Sequence, residues 1–302
     1  MKVLIIGLGS IAQKHIFSLK ELGLVDIYAL RSSKDPTSHP GVKNVFSIKE
    51  LYNIEFDFII ISNPTSKHSE TIQEVLKFRK PLFIEKPLFS EISEANKKLL
   101  DNIIEVKVPT YIACNLRFRD CLKEMKKIVR TRRVNEVNSY SGSYLPDWRP
   151  NTNYRKIYSA NRNLGGGVHL DLIHELDYLC WIFGVPEKSS VIFKSNSSLQ
   201  IDAVDYASYN LEYENFCANV TLNYYRRDTK RTFEVLTSEE TFLADIISNK
   251  IYRNDQEIFS SEQPLINTYV EQMEYFLNNI LTGTNPNFNS AEQAFKILKL
   301  SL

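Results

Sequence analysis

To about residue 115, short and almost unbroken apolar runs alternate with amphipathic stretches. The runs Val3–Ile6, Asp26–Leu30, Phe56–Ser62, Pro81–Glu85 and Thr110–Asn115 are rich in β-branched and aromatic residues. That composition suits strands buried on both faces. Between them, Ile11–Leu22, Lys67–Phe78 and Glu91–Ile104 repeat apolar residues at three and four positions, which predicts helices. Strand–helix alternation of this kind predicts a parallel sheet covered by helices.

Beyond residue 115 the pattern changes. A helix over Cys121–Thr131 leads to a strand near Glu136–Tyr144 and an irregular stretch from Leu145 to Leu164, rich in Pro, Asn, Arg and Tyr. A helix is expected over Val168–Phe183, then a period-two region from Ser189 to Arg253 that predicts a mostly antiparallel sheet. In Tyr206–Tyr213 and Ala218–Tyr225 both alternate faces carry apolar or aromatic residues, so burial of the second face is expected as well. Two helices, Thr268–Leu281 and Ser290–Leu300, close the pattern.

Composition excludes more than it selects. A formal net charge of +1 gives no electrostatic case for nucleic acid or a membrane surface as partner. Cys114, Cys121, Cys180 and Cys217 are scattered without metal-ligand spacing, so no metal is expected and the thiols read as buried small hydrophobes in a reducing compartment. The apolar run at Val3 stops after Ile6 at a glycine cluster, unlike a signal peptide. No stretch approaches the ~20 apolar residues of a membrane span. A cytoplasmic protein is expected.

Gly7-Leu8-Gly9-Ser10-Ile11-Ala12 follows the first strand and opens the first helix. In that context Gly7 permits a tight turn and Gly9 lets backbone approach a diphosphate. Ala12 allows close helix–strand packing, and the N–H groups around Ser10 and Ile11 face the ligand at the positive end of the helix. The plain alternative is a glycine turn without a ligand. The second strand ends Ala29-Leu30-Arg31-Ser32-Ser33 with no carboxylate for a ribose 2′-hydroxyl. Arg31 and Ser32 can instead hold a 2′-phosphate, which favours NADP over NAD. An arginine lying flat on the adenine would be indifferent to that phosphate. The fold class that follows is an α/β Rossmann domain over residues 1–118 and an α+β domain with a mostly antiparallel sheet over 119–302. The final helices are free to pack back on the first domain.

Ligands of open parallel sheets lie beyond the carboxyl ends of the strands, where Asn63, Lys86 and Asn115 fall. An ammonium at Lys86, stiffened by Pro87, can polarise a substrate oxygen or share its proton; the alternative is a surface lysine. On the wheel of Val168–Phe183, Leu172, Ile173, Leu176, Leu179 and Cys180 form an apolar stripe. Asp171, His174, Glu175 and Tyr178 cluster opposite, either as a proton-transfer face or as an ordinary solvated one. Asp147-Trp148-Arg149-Pro150 and Tyr154-Arg155-Lys156 supply cations and aromatics suited to a phosphorylated or nucleotide-linked sugar, or to a subunit contact.

Taken in order, the glycine fingerprint, Asn63-Pro64-Thr65-x-x-His68, Glu85-Lys86-Pro87, Asn115-x-Arg117-Phe118 and Gly165-Gly166-Gly167 leading to Asp171 and His174 resemble the Gfo/Idh/MocA family of oxidoreductases. His174-Glu175-Leu176-Asp177-Tyr178 is similar to a subset of that family. The resemblance implies a nicotinamide cofactor, NAD or NADP, held also by Asn63, Pro64, His68, Glu85 and Asn115. It implies that Lys86 contacts both nicotinamide ribose and substrate. His174 is then the proton-transfer residue, with Asp171 orienting it or binding a sugar hydroxyl, and with Arg149, Arg155 and Tyr178 on the substrate. Asp171 and His174 stand three apart where the commoner family spacing is four, which leaves Glu175 as a rival for the proton. His169 is expected to point away. Sheet-to-sheet assembly into a homodimer or homotetramer is implied too.

The expected activity is hydride transfer between nicotinamide and a hydroxyl or keto carbon of a sugar, phosphosugar or nucleotide sugar, as in surface-glycan synthesis. A glycoside-cleaving relative that oxidises its sugar transiently and a catalytically silent NAD(P)-binding regulator are the alternatives. Lys86 and His174 argue against silence.

Overall fold

The computed structural model describes residues 1–31 and 39–302, which divide into two compact units. Unit 1 comprises Met1–Asn115 with Ile266–Lys296, and unit 2 comprises Leu116–Leu265 with Ile297–Leu302.

Unit 1 is built on strands β1 (Lys2–Ile6), β2 (Asp26–Leu30), β3 (Val42–Val45), β4 (Phe58–Ile61), β5 (Leu82–Glu85) and β6 (Thr110–Ala113). They form one sheet in the order β3-β2-β1-β4-β5-β6, with every pair parallel. This is the doubly wound order whose switch point lies between β1 and β4. The central strands β4 and β5 are buried at every position, which is why their sequences are continuous apolar runs rather than alternating ones. Helices α1 (Ser10–Glu21), α2 (His68–Val75) and α3 (Glu94–Val106) provide the crossovers. Ser93 caps α3 by accepting from Asn96 N–H.

Unit 2 opens with α4 (Asp120–Val129) and the long strand β7 (Val134–Tyr144), followed by short 3-10 turns through residue 164. Next come α5 (Val168–Asp171), α6 (His174–Phe183), β8 (Lys188–Lys194), β9 (Tyr206–Glu212), β10 (Cys217–Asn223), β11 (Tyr225–Thr237), β12 (Thr241–Asp245), β13 (Lys250–Arg253) and β14 (Gln256–Ser260). The sheet order is β14-β13-β12-β11-β7-β10-β9-β8, antiparallel throughout except for the parallel pair β10–β7. Ala207, Tyr209, Leu211, Ala218, Val220, Leu222, Val137, Phe233 and Val235 make its buried face. Helix α6 lies on that face through Tyr178, whose ring meets Phe233 edge-on at 5.3 Å.

Over β9 and β10 the other face of this sheet corrects the expectation of a second apolar layer. Asn210, Asn219, Asn138 and Glu234 share one register row, joined by amide contacts of 3.4, 3.4 and 3.3 Å. In β9 and β10 the remaining outward positions are polar apart from Tyr206 and Cys217, an exposed thiol where a buried one was expected, because the other apolar residues fall on the inward parity.

The chain then returns to unit 1. Helix α7 (Asn267–Tyr275) packs along α1 and continues as a π-helical turn over 276–280. There Phe276 meets Phe58 at 5.1 Å and Phe83 at 5.3 Å. Asn289 then pairs with the outer edge of β6, donating through Nδ2 to Ile112 O and accepting from Ile112 N–H. The last helix, α8 (Ala291–Ser301), begins where Ala291 N–H donates to Thr110 Oγ1. Among the described residues no helix is long and apolar enough to cross a membrane.

Candidate active site

The dinucleotide half-site lies in unit 1, at the carboxyl ends of β1, β4 and β5. Gly7 has φ +89°, and a Cβ there would stand 2.7 Å from Asn63 N, so only glycine fits between the two strand ends. Its carbonyl accepts from Ser62 Oγ at 3.1 Å, and its N–H donates to Leu30 O at 3.1 Å. Gly9 is the N-cap of α1, with no side-chain cap and no acidic residue in the first turn. A Cβ on Gly9 would meet nothing within 4 Å. The start of α1 around Ser10 and Ile11 therefore keeps uncapped N–H donors and an uncompensated positive dipole, the requirement for a diphosphate.

Asn63 adds a second fit. Its Nδ2 donates to Thr71 Oγ1 at 2.7 Å, while Oδ1 is buried without a hydrogen-bond partner among the described residues. An orphaned acceptor beside the glycine turn suits a ribose hydroxyl or an amide of the cofactor. Pro64 is exposed just after it. Asn115 is buried, with Nδ2 on Thr268 Oγ1 at 2.7 Å. Arg31 is half-buried at the end of β2 and its N–H donates to Val45 O. Ser32, the other residue expected to read a 2′-phosphate, lies outside the described residues.

His68 is fully buried rather than at the surface. Its Nδ1 lies 3.0 Å from Pro87 O and 3.2 Å from Leu88 O, and its Nε2 lies 3.1 Å from Asn63 O. Both ring nitrogens thus face backbone carbonyls, to which a neutral imidazole donates from one side, and burial lowers the imidazole pKa. Glu85 ends β5 nine-tenths buried, with Oε1 2.6 Å from His15 Nε2 and Oε2 accepting from Lys86 N–H at 3.2 Å. Lys86 follows, half-buried, before the cis Lys86–Pro87 peptide.

The substrate-side residues lie in unit 2. The helix expected over Val168–Phe183 is two helices: α5 ends at Asp171, and α6 starts at His174 after Leu172 and Ile173. The wheel drawn across both is thereby broken, and its supposed solvated face is largely buried. Asp171 accepts from Tyr224 Oη at 2.6 Å. His174 is half-buried at the first position of α6. Glu175, the rival for the proton, is fully buried and gripped by Arg231 through two contacts, Nε–Oε1 at 2.5 Å and Nη2–Oε2 at 3.1 Å. Tyr178, expected on the substrate, is fully buried with its hydroxyl 2.6 Å from Ser139 Oγ, so it belongs to the core. His169 is buried against Phe193 with ring centroids 5.0 Å apart.

Of the three glycines, Gly166 has a packing reason. A Cβ on Gly166 would stand 2.2 Å from Tyr158 O, so the 158–164 turns close directly over its backbone. In the earlier turn Leu145–Trp148, Trp148 donates to Ser143 Oγ at 2.9 Å and meets Tyr224 edge-on at 5.3 Å. Arg149 is exposed. Arg155 lies 4.8 Å over the Tyr154 ring and reaches Gln200 Oε1 at 3.3 Å. Sequence reasoning missed His15, Tyr224 and Arg231, each distant in the chain from the acid it holds.

A parallel sheet in this order, with a glycine turn and an uncapped helix start at its switch point, defines a dinucleotide-binding protein. The chain belongs to the GFO/IDH/MocA oxidoreductases: residues 1–105 match the family model described as "Oxidoreductase family, NAD-binding Rossmann fold", and residues 122–243 match the "GFO/IDH/MocA C-terminal domain". It is 22% identical over 311 aligned positions to a myo-inositol 2-dehydrogenase of Thermotoga maritima, covering 95% of this chain and 90% of that one. Among solved structures it is similar to UDP-N-acetylglucosamine 3-dehydrogenase from Acidithiobacillus ferrooxidans, with a TM-score of 0.81 and 16% identity over 100% of this chain and 95% of that chain. The WlbA dehydrogenase from Bordetella pertussis, solved with NADH and UDP-GlcNAcA, gives a TM-score of 0.80 and 16% identity over 99% and 93% of the two chains.

Proposed function

We propose that this chain oxidises or reduces a hydroxyl-bearing carbon of a sugar, phosphosugar or nucleotide sugar. The observation that carries the reading is Lys86, set at the carboxyl end of β5 by the carboxylate before it, in the unit that holds the glycine turn. When bound, a nicotinamide dinucleotide supplies the hydride acceptor or donor. The backbone around Ser10 and Ile11 would hold its diphosphate, Asn63 Oδ1 would accept from a ribose hydroxyl or amide of it, and Arg31 would favour a 2′-phosphate. Lys86 polarises the reacting oxygen of the substrate. His174 takes or returns the hydroxyl proton, Asp171 binds a neighbouring hydroxyl with Tyr224 fixing its carboxylate, and Arg149 and Arg155 attract an anionic portion of the substrate. With Glu175 occupied by Arg231, His174 is the better-placed proton carrier of the two. The names of the similar dehydrogenases support a cyclic polyol or nucleotide sugar as substrate.

The test is absorbance at ~340 nm, the reduced-nicotinamide band, over a panel of cyclic polyols, phosphosugars and UDP-sugars with each cofactor. Turnover with at least one of them is expected, abolished in Lys86→Ala while cofactor fluorescence titration still shows binding. A protein that binds neither NAD nor NADP, or a Lys86→Ala variant with undiminished turnover, overturns the reading.

A further inference from the structure

The mechanism proposed above leaves unused a buried ionisable cluster in unit 1. His15 is fully buried on α1 and Glu85 nearly so at the end of β5, yet they meet at 2.6 Å. The second oxygen of Glu85 accepts the backbone N–H of Lys86. The His15 ring is fixed edge-on by Phe83 at 5.1 Å and by Tyr269 at 6.2 Å, and its Nδ1 has no hydrogen-bond partner among the described residues. Its ring is therefore held by packing and by Glu85 alone among the hydrogen bonds described for it.

A buried carboxylate is expensive to desolvate, and an apolar pair of the same volume stabilises a core equally well. Its distinguishing property is two acceptors that serve two donors in fixed directions. Here one donor belongs to the helix that starts at the glycine turn, and the other is the first N–H of the segment that carries Lys86. Lys14, next to His15, has its Nζ 3.2 Å from Tyr269 Oη and 4.6 Å from that ring's centroid. Burial lowers the Lys14 pKa, Glu85 opposes that shift and Lys86 adds to it, so Lys14 stands within reach of both charges.

Resting on the proposed function, we infer that His15 is a positioning residue. Through Glu85 it ties the cofactor-binding end of α1 to the strand end bearing Lys86, so that cofactor and lysine are aligned as one piece. His68 braces the same turn from the other side through Pro87 O and Leu88 O.

The test reads Lys86 without a substrate: trace acetylation by acetic anhydride, quantified on the Lys86 peptide with and without saturating NAD or NADP. In the parent protein the cofactor protects Lys86. His15→Phe keeps the ring packing but removes the donor, and should cut that protection about tenfold, the scale of one charge-assisted hydrogen bond. His15→Gln, which can still donate to Glu85, should restore most of it. Glu85→Gln has a single acceptor oxygen and should lose protection like His15→Phe, which keeps the test decisive if the phenylalanine variant does not fold. Equal protection in parent and Glu85→Gln overturns the inference. A parent whose Lys86 is not protected at all overturns the functional reading with it, and that result is visible before any variant is made.

Discussion

Arg117 and Asp177 form a two-pronged ion pair inside unit 2, Nε to Oδ2 and Nη2 to Oδ1, each at 2.8 Å, with side chains only 4% and 2% exposed. Both residues lie in motifs that point to a site, Asn115-x-Arg117-Phe118 and His174-Glu175-x-Asp177-Tyr178. Their contact makes them props for α6 rather than groups offered to a ligand. Removing Asp177 takes both of these bonds from a buried guanidinium, so Asp177→Ala should cost about 3–5 kcal/mol. Urea unfolding by circular dichroism measures this, and a loss below ~1 kcal/mol would show the pair to be dispensable.

Two glycines should respond in opposite ways. Gly166→Ala forces a Cβ to 2.2 Å from Tyr158 O, a backbone atom that cannot swing aside, and should lower the melting temperature steeply. Gly9→Ala meets nothing and should leave stability within ~0.5 kcal/mol of the parent. The methyl would still crowd a bound diphosphate, raising the cofactor Kd about tenfold or more. If Gly9→Ala binds cofactor as well as the parent, the diphosphate does not lie at that turn.

Cofactor preference depends on Arg31. Titration of intrinsic fluorescence should give tighter binding of NADP than NAD, and Arg31→Ala should weaken NADP by about tenfold while leaving NAD nearly unchanged. Equal affinity of the parent for both cofactors would remove the preference.

Acid should destabilise the protein through its buried histidines. Burial pushes the His169 pKa down to about 4 from its ordinary 6.5, so between those values the unfolded chain binds a proton that the native state does not. Its stabilising contribution is therefore complete above about pH 6.5 and fades as the pH falls toward 4, by at most roughly 3 kcal/mol. His68, whose pKa burial also lowers, acts in the same direction. Urea midpoints at pH 5 and pH 7 should differ, and His169→Phe should shrink the difference. An unchanged difference would mean that His169 ionises without unfolding.

The sheet of unit 1 was readable because its strands are buried on both faces, so apolar runs such as Phe58–Ile61 leave no ambiguity of period. Val42–Val45 escaped for the opposite reason: it is an edge strand with polar Lys43 and Asn44 at its middle. The break between α5 and α6 escaped too, since Leu172 and Ile173 continue the apolar periodicity and no glycine or proline marks the interruption. Once the helix breaks, a wheel cannot say which acid is buried, and the partner that buries Glu175 is Arg231, far along the chain on another strand. His15 reads locally as one more residue on the inner face of an amphipathic helix. Only its pairing with Glu85, seventy positions away, gives it another meaning.

The return of the chain to unit 1 has a consequence for the order in which that unit is completed. Phe58, Phe83 and Tyr111 wait for Phe276, and the outer edge of β6 waits for Asn289. During synthesis the sheet of unit 1 must remain unfinished until Phe276 and Asn289 have left the ribosome. A fragment ending at Asn115 would carry the whole glycine fingerprint yet expose an aromatic wall and an unpaired strand edge, inviting aggregation in place of cofactor binding.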